Sequence, residues 1–356
     1  MQRFTSQNVV TIEPTLTNGV STPGFATSGN IAAAIPPTTI DQNWTNLTTD
    51  EIYHAANGTY PGALTGLTPS GTVNNQLYSV ISSRGKTTVT GTVNLYVATT
   101  GSDSANTGLT SDSPFATLQH AYTYAANTYA LNGNTCQINV SAGTYTTGVI
   151  CNNPSLSGYI AFVGNNTSPA GWTNTTQVLV NVSNGNAFYV AGGNQNISVS
   201  GFAVATTGAA SNTSAIGYGV VSGQGAIINL ANISFGTCGT SQVIASSYGT
   251  VGFAYGSTFY FTGTSPYGLV ASVGQISCVG TTFHFASSTY TIAFTAAIYG
   301  AAIIACWSMT FSGSFTGQRY NASWAGSINT NSNNTSYFPG SVAGSANSGG
   351  FIGYYY

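Results

Sequence analysis

Apolar residues recur with a fixed internal spacing between residues 197 and 311. In three repeats, an apolar residue at position i is followed by apolar residues at i+2, i+5 and i+7; the repeat at Ile276 has Thr281 at one of these positions, and the one at Val251 slips after Phe253. One complete set is Ile197, Val199, Phe202 and Val204. Because successive side chains of a β-strand point to opposite faces, residues i and i+2 face the same side of one strand. Each repeat therefore predicts two short strands that face a shared core and are joined by a turn.

The repeats start at irregular intervals. They are separated by 31, 23, 25 and 28 residues and begin at Ile197, Ile228, Val251, Ile276 and Ile304. Constant strands with variable loops are typical of a solenoid in which each coil contacts its neighbours. Cys278 and Cys306 occupy the same slot of adjacent coils, so we expect them to stack roughly 4.7–4.9 Å apart along the axis. We also expect both thiols to be buried and not joined by a disulfide.

A helical pattern precedes these repeats. The segment from Ser113 to Thr117 provides a helix start, and the dipeptide Asn132-Gly133 provides a stop. Between them, apolar residues recur at helical spacing. The recurring residues are Leu118, Ala121, Tyr122, Ala125 and Tyr129. This pattern predicts one amphipathic helix over residues 117–131.

The distribution of charge divides the chain. The first ninety residues hold four of the six acidic residues and three of the four Lys and Arg residues. We therefore predict a separate N-terminal region over residues 1–90, in which the spacing of Leu47 and Ile52 and of Leu77 and Ile81 indicates two short helices. Residues 95–315 are predicted to form the solenoid, and residues 316–356 a C-terminal β cap. The chain as a whole is predicted to be all-β.

Composition excludes several functions. Charged residues make up 3% of the chain, against about 25% in an average soluble domain. A net charge of -2 cannot neutralise phosphates, which excludes nucleic acid as a partner. The five cysteines lack the spacing of a metal site, and no metal or cofactor is predicted. Residues 290–311 reach membrane-spanning length, but their Thr and Ser residues and their repeat pattern favour β-strands, so no membrane insertion is predicted.

Two segments near the start of the solenoid carry a family resemblance. They run from Tyr96 to Gln119, with a turn-rich stretch followed by Pro114-Phe115, and from Ile138 to Tyr145, with Gly143-Thr144. These segments resemble the opening of pectin-lyase-like proteins, which are right-handed parallel β-helices. In that family the helix caps the open end of the solenoid. The resemblance implies the same fold here, with helix 117–131 as the cap.

Two further segments resemble bacteriophage tail-fibre and tailspike proteins. The segment from Trp44 to Ile81 is similar to the particle-proximal part of tail fibres, and the segment from Thr316 to Ser345 is similar to a recurring C-terminal segment of fibres and tailspikes. The resemblance implies a virion protein, assembled in the host cytoplasm, that forms a homotrimer and contacts other tail or capsid proteins. The residues expected to attach the chain to the particle are Trp44, Asp50, Glu51, Gln76 and Leu77. Ordinary helix packing and capping is the alternative role for these residues.

The acidic residues argue against catalysis. Glycoside hydrolysis commonly requires two carboxylates on either side of the scissile bond. No Asp or Glu follows Asp112, and Asp103 and Asp112 lie in a turn where capping of backbone amides is the expected role. His284 with Tyr290 is the remaining acid-base candidate, although the pattern around His284 predicts an exposed strand residue opposite two core phenylalanines. His54 and His120 lie in predicted helices without a partner set.

The aromatic residues favour binding. Aromatic rings flanked by Asn, Ser and Thr suit stacking on sugar rings with hydrogen bonds to hydroxyl groups. Alternation and adjacent Gly or Thr residues predict Tyr255, Tyr260 and Tyr290 at the surface, where they would bind carbohydrate. The alternative role for each is a core or subunit-interface aromatic.

The sequence therefore predicts a non-enzymatic virion fibre that binds polysaccharide on the host surface. A polysaccharide depolymerase is one alternative, with a site at His284 or at Asp103 and Asp112. A purely structural fibre or decoration protein of the capsid or tail is another. With so few charges, adsorption is expected to be insensitive to salt.

Overall fold

The computed structural model describes residues 86–153, 158–164, 177–193, 196–209, 216–332, 334–348 and 353–356. The chain divides into two units, Met1–Lys86 and Thr87–Tyr356, and the description below concerns the second. The short helices predicted within residues 1–90 lie outside the described residues. So do the five residues expected to attach the chain to a particle.

One parallel sheet, sheet A, contains ten strands among the described residues. Its strands are β2 (Val93–Val97), β4 (Thr135–Val140), β7 (Tyr159–Val163), β10 (Asn196–Ser200), β13 (Ile227–Ala231), β16 (Thr250–Phe253), β18 (Gln275–Ser277), β20 (Ile303–Ala305), β24 (Ser327–Asn329) and β27 (Tyr354–Tyr355). Alternation places one face of each strand in the core. The register stacks like residues, so that Ile197 pairs with Ile160 on one side and Ile228 on the other. Buried β-branched residues thus form a continuous column.

The second sheet consists of two parallel stacks that merge. Stack B contains β5 (Gly143–Tyr145), β8 (Val178–Val182), β11 (Phe202–Thr206), β14 (Ser234–Phe235) and β21 (Thr310–Ser312). Stack C contains β6 (Val149–Cys151), β9 (Phe188–Val190), β12 (Tyr218–Ser222), β15 (Ser241–Ser246), β23 (Tyr320–Ser323) and β26 (Ser345–Ser348). Two long strands, β17 (Thr258–Ser272) and β19 (Thr282–Ile298), run through both stacks. Two short strands add to the sheet beside β19: β22 (Phe315–Gln318) pairs with the middle of β19, and β25 (Gly340–Val342) pairs with β22.

The chain visits these stacks in a constant order. After β10 in sheet A it forms β11 in stack B and β12 in stack C, and then returns to sheet A as β13. We call one such passage a coil. The predicted spacing is confirmed, because Ile197 and Val199 lie in β10 while Phe202 and Val204 lie in β11, all four buried. The all-β class and the parallel sheets are confirmed as well.

The predicted helix is present as α1 (Leu118–Thr128), but its predicted end at residue 131 is wrong because the backbone of Tyr129 is extended. Thr117 caps its first turn, since its hydroxyl accepts a hydrogen bond from the backbone N–H of His120 at 3.1 Å. Its buried face lies against β2, β4 and β6 and contains Leu118, Ala121, Tyr122, Ala125 and Ala126. After α1, a two-residue strand β3 (Tyr129–Ala130) pairs with β1 (Thr87–Thr88).

Phenylalanine rings fill the core of the later coils. Phe235, Phe261 and Phe285 occupy the same slot of three adjacent coils, with successive ring centroids 5.3 Å apart and nearly parallel planes. Phe294 packs at right angles to Phe261, with 5.5 Å between the centroids. Offset and edge-to-face contacts of this kind are the geometries that aromatic pairs prefer.

The expected stacking of cysteines is also confirmed. All five cysteines are buried and free. Cys278 and Cys306 lie in adjacent coils with their Sγ atoms 3.3 Å apart. Burial raises the pKa of the Cys306 thiol well above its ordinary value.

The segment of membrane-spanning length is confirmed as strand. Residues 290–311 lie in β19, β20 and β21 and in the turns between them. None of the helices in the described part of the chain is long and apolar enough to cross a membrane.

Stability is expected to fall at alkaline pH. Burial raises the pKa of Cys136 from 9.0 to about 12 and that of Tyr145 from 10.0 to about 12. The folded chain therefore holds protons that the unfolded chain releases, so the stabilisation is complete below the ordinary pKa values and is lost as pH rises toward the raised ones. Urea unfolding between pH 7 and pH 12 should show an unfolding free energy that declines above about pH 9. A constant or rising free energy across that window would contradict the assignment of these groups as buried and protonated.

Candidate functional site

Tyr260 and His284 form a stacked pair on the outer face of stack B. They occupy the same slot of β17 and β19, and their rings are 4.7 Å apart with an angle of 17° between the planes. Both side chains are half-buried, whereas Phe283 and Phe285 on either side of His284 are buried. The predicted orientation of His284, opposite two core phenylalanines, is confirmed. The pair presents aromatic surface directly to solvent.

Tyr255 lies in the turn between β16 and β17, in the same coil as Tyr260. It is 83% exposed. Its ring covers Gly280 of the next coil, where an added Cβ would lie 2.2 Å from the Cε2 atom of Tyr255. Gly280 also has φ +67°, a conformation that other residues rarely adopt. The glycine therefore lets the tyrosine lie flat along the stack while its outer face stays open.

Tyr290 is buried, so its predicted place at the surface is wrong. Its side chain is 2% exposed, and its hydroxyl donates a hydrogen bond of 2.9 Å to Oε1 of Gln242. Burial raises its pKa well above the ordinary value. The error has a local cause, because Ser287 has φ +55° and shifts the alternation of β19 by one residue. The inward positions change from Phe283 and Phe285 to Ser288 and Tyr290.

A buried polar cluster surrounds Tyr290 where stacks B and C merge. Nε2 of Gln242 donates to the carbonyl oxygen of Gly236 at 3.0 Å, and the Ser288 hydroxyl donates to that of Phe261. The Ser265 hydroxyl accepts a hydrogen bond from the backbone N–H of Cys238 at 2.9 Å. The pairing of β17 with β19 shifts register here, which takes backbone groups out of the ladder. The cluster satisfies these groups and has a structural role.

Replacing Tyr290 with phenylalanine is expected to lower the free energy of unfolding by about 1–3 kcal/mol. The substitution leaves Oε1 of Gln242 buried without its hydrogen-bond donor. Urea unfolding of the variant measures the loss. Tyr255→Phe is the matched control, since its ring is 83% exposed, and it should change stability by less than about 0.5 kcal/mol. Equal effects of the two substitutions would contradict the role of the cluster.

The two carboxylate side chains of the described chain, Asp103 and Asp112, lie in the turns that precede α1. Oδ1 of Asp103 accepts hydrogen bonds from the backbone N–H groups of Ala116 and Thr117, at 2.7 and 3.1 Å, and Oδ2 accepts one from the Thr117 hydroxyl. Asp103 thus holds the turn before α1, and the predicted capping role is confirmed. Asp112 is exposed, and no Asp or Glu follows it in the sequence. In the residues that the structure describes, no three His, Cys, Asp or Glu side chains are grouped as metal ligands would be.

The other histidine of the described chain is also structural. The backbone N–H of His120 donates to the capping hydroxyl of Thr117 in the first turn of α1. Its ring packs edge-on against Phe115, with 4.6 Å between the centroids.

Comparison with known proteins found no match. No family model matches the chain, and no curated protein or solved structure matches it significantly. The candidate site therefore rests on the geometry of the chain itself.

A second set of exposed aromatic residues was not among the three tyrosines predicted at the surface. Tyr248, Tyr299 and Trp324 lie in the turns that lead from stack C back to sheet A, and they are 75%, 52% and 42% exposed. The signal in the sequence is an aromatic residue one or two positions before glycine, as in Tyr248-Gly249. It becomes informative only once the register places these turns in neighbouring coils.

Proposed function

We propose that the chain is a right-handed parallel β-helix that serves as a non-enzymatic virion fibre and binds neutral carbohydrate on a host surface. The constant order of sheet A, stack B and stack C supports the helical path. Connections between parallel strands of one sheet are right-handed in about 98% of cases, which supports the hand. In this arrangement α1 covers the open end at β2.

One observation carries the binding function. Tyr260 stacks on His284, and Tyr255 lies open in the same coil, on a surface almost without charge. Aromatic faces bind the apolar faces of sugar rings, while neighbouring hydroxyl groups bind sugar hydroxyls. Tyr290 has no part in this proposal because it is buried.

The buried Tyr290 also weakens the depolymerase alternative. That alternative paired His284 with a surface tyrosine as base and acid, and the Tyr290 hydroxyl is instead bonded to Gln242. The carboxylate alternative loses Asp103, whose two oxygens are bonded at the start of α1.

The place of the chain in a virion rests on the resemblance to bacteriophage tail fibres and tailspikes. We propose that residues 1–90 contact other tail or capsid proteins through Trp44, Asp50, Glu51, Gln76 and Leu77. A homotrimer is the assembly that this resemblance supports. A fibre without its own receptor is the competing structural role, and binding of cells by the isolated protein separates the two.

The test incubates the purified chain with a panel of bacterial strains and with their extracted surface polysaccharides. Retention is scored together with release of oligosaccharide. We expect retention without release, and retention that added salt does not weaken steeply. Release would replace the fibre with a depolymerase, and the absence of retention on every strain would leave a structural virion component.

Variants connect retention to the proposed site. The double substitution Tyr255→Ala and Tyr260→Ala is expected to weaken retention about tenfold, which corresponds to about 1.4 kcal/mol. Tyr159→Ala, on the outer face of sheet A and 47% exposed, is the matched control. Equal retention of the double variant and the control would show that Tyr255 and Tyr260 do not form the binding site.

A further inference from the structure

Three exposed aromatic residues mark one corner of the stack. Tyr248, Tyr299 and Trp324, here called the corner row, all have positive φ, at 65°, 71° and 53°. Bulky residues rarely adopt this conformation, and such residues cluster at functional sites. The rings are too exposed for burial to account for the strain. The turn itself has this conformation, since Val273 in the same slot as Tyr299 has φ +55°, and the corner row is distinguished by the bulky aromatic residues that adopt it.

Close packing of the backbone accompanies the turns at Tyr248 and Trp324, whereas a Cβ added at Gly300, after Tyr299, would meet no atom within 4 Å. Gly249 and Gly326 follow Tyr248 and Trp324, and a Cβ added at either would lie 2.2–2.3 Å from a carbonyl oxygen of the preceding coil. The two oxygens belong to Ser222 and Ala297. Each of these two turns is therefore pressed against the coil beneath it.

The register aligns Tyr299 and Trp324 with the stacking axis. Ser272, Ile298 and Ser323 pair across three adjacent coils, so the residues that follow them, Val273, Tyr299 and Trp324, occupy one slot. Ser246 pairs with Ser272, so Ser247 occupies this slot in the preceding coil and Tyr248 lies one residue beyond it. The backbone N–H of Tyr248 donates to the carbonyl oxygen of Val273 at 2.6 Å, and the coil of Val273 lies between those of Tyr248 and Tyr299. The rings of Tyr299 and Trp324 are 6.3 Å apart.

The charges and the spacing indicate the ligand. Arg319 is the one permanent cation after Lys86, and no carboxylate side chain follows Asp112 in the sequence. Apart from Arg319, this part of the chain has no charged side chain to pair with a charged ligand. Adjacent coils are about 4.7–4.9 Å apart, a distance comparable to the length of one sugar residue in a polysaccharide. Ser247, exposed beside Tyr248, adds a hydroxyl for sugar hydroxyl groups.

We infer that the corner row binds a neutral polysaccharide chain lengthwise, with neighbouring sugar rings lying on Tyr299 and Trp324 and a more distant one on Tyr248. The inference rests on the proposed carbohydrate-binding function and adds a second site, at a different corner from Tyr255 and Tyr260. A lengthwise site gains contacts with each further sugar residue. Its affinity consequently rises with the length of the glycan until the row is filled.

The test measures the affinity of full-length variants for the neutral surface polysaccharides that the wild type binds. The same measurement is made on size-fractionated fragments of these polysaccharides. The double substitution Tyr299→Ala and Trp324→Ala is expected to weaken binding of long fragments about tenfold and to reduce the gain of affinity with length. Tyr299→Phe with Trp324→Phe should keep most of the binding. Thermal unfolding and sedimentation of each variant establish that fold and assembly are unchanged.

Each outcome has a defined meaning. If the alanine double variant binds long fragments as well as the wild type does, the corner row is not a binding site. The proposed function still holds in that case if retention depends on Tyr255 and Tyr260. A change of sedimentation without a change in glycan binding would make the row an interface between copies of the chain, and binding of acidic glycans alone would contradict the neutral ligand. If the wild type retains no polysaccharide, the proposed function fails and the row fails with it.

Discussion

Replacing Phe261 with alanine is expected to lower the free energy of unfolding by about 3–5 kcal/mol. Phe261 is fully buried and lies between Phe235 and Phe285 in the stacked column, with Phe294 packed edge-on against it. Its removal leaves a cavity that the rigid strands on both sides cannot close. The ring also joins three coils, so its loss weakens more than one coil contact.

Urea unfolding of the Phe261→Ala variant measures this loss. Tyr260→Ala is the matched control, because Tyr260 is the neighbouring residue of β17 but points outward and is half-buried. We expect the control to lose much less stability than the core variant. A larger loss for Tyr260→Ala would show that the outward aromatic pair, and not the column of phenylalanines, holds the later coils together.

Replacing Gly249 with alanine is expected to cost about 1–3 kcal/mol of unfolding free energy or more. The new Cβ would lie 2.2 Å from the carbonyl oxygen of Ser222 and 2.4 Å from its carbon. Both are backbone atoms of the neighbouring coil, which cannot move away without disturbing the ladder. The turn must open, and the separation between β12 and β15 must increase locally.

Gly300 provides the control for this substitution. It lies in the equivalent turn of a later coil, but no atom lies within 4 Å of the position that a Cβ would take. Gly300→Ala should therefore change stability by less than about 0.5 kcal/mol. Comparable losses at Gly249 and Gly300 would mean that glycine is needed in these turns for backbone freedom, and not for the close approach of two coils.

The sequence was informative where local spacing determines the structure. The spacing of Ile197 to Val204 specifies two strands on one core, and the helix at Leu118–Thr128 follows from its cap and its apolar face. The slot shared by Cys278 and Cys306 follows from the same repeat. In each case the signal and the structure involve the same few residues.

The sequence was less informative where one residue changes the register. Alternation from Phe283 and Phe285 places Tyr290 outside, but the left-handed conformation of Ser287 reverses the faces. Serine carries no strong preference for that conformation, so nothing local signals the reversal. The corner row was not predicted for a different reason: its residues are far apart in the sequence and come together only through strand register.

The regular register also determines how such a chain changes length. Thr250 pairs with Gln275 and Val251 pairs with Ile276, so residues at equal heights in two coils are structurally equivalent. Excision of residues 250–274 would join Gly249 to Gln275 and leave β18 in the position that β16 had beside β13. Duplication or loss of a whole coil therefore lengthens or shortens the protein stepwise without altering either end.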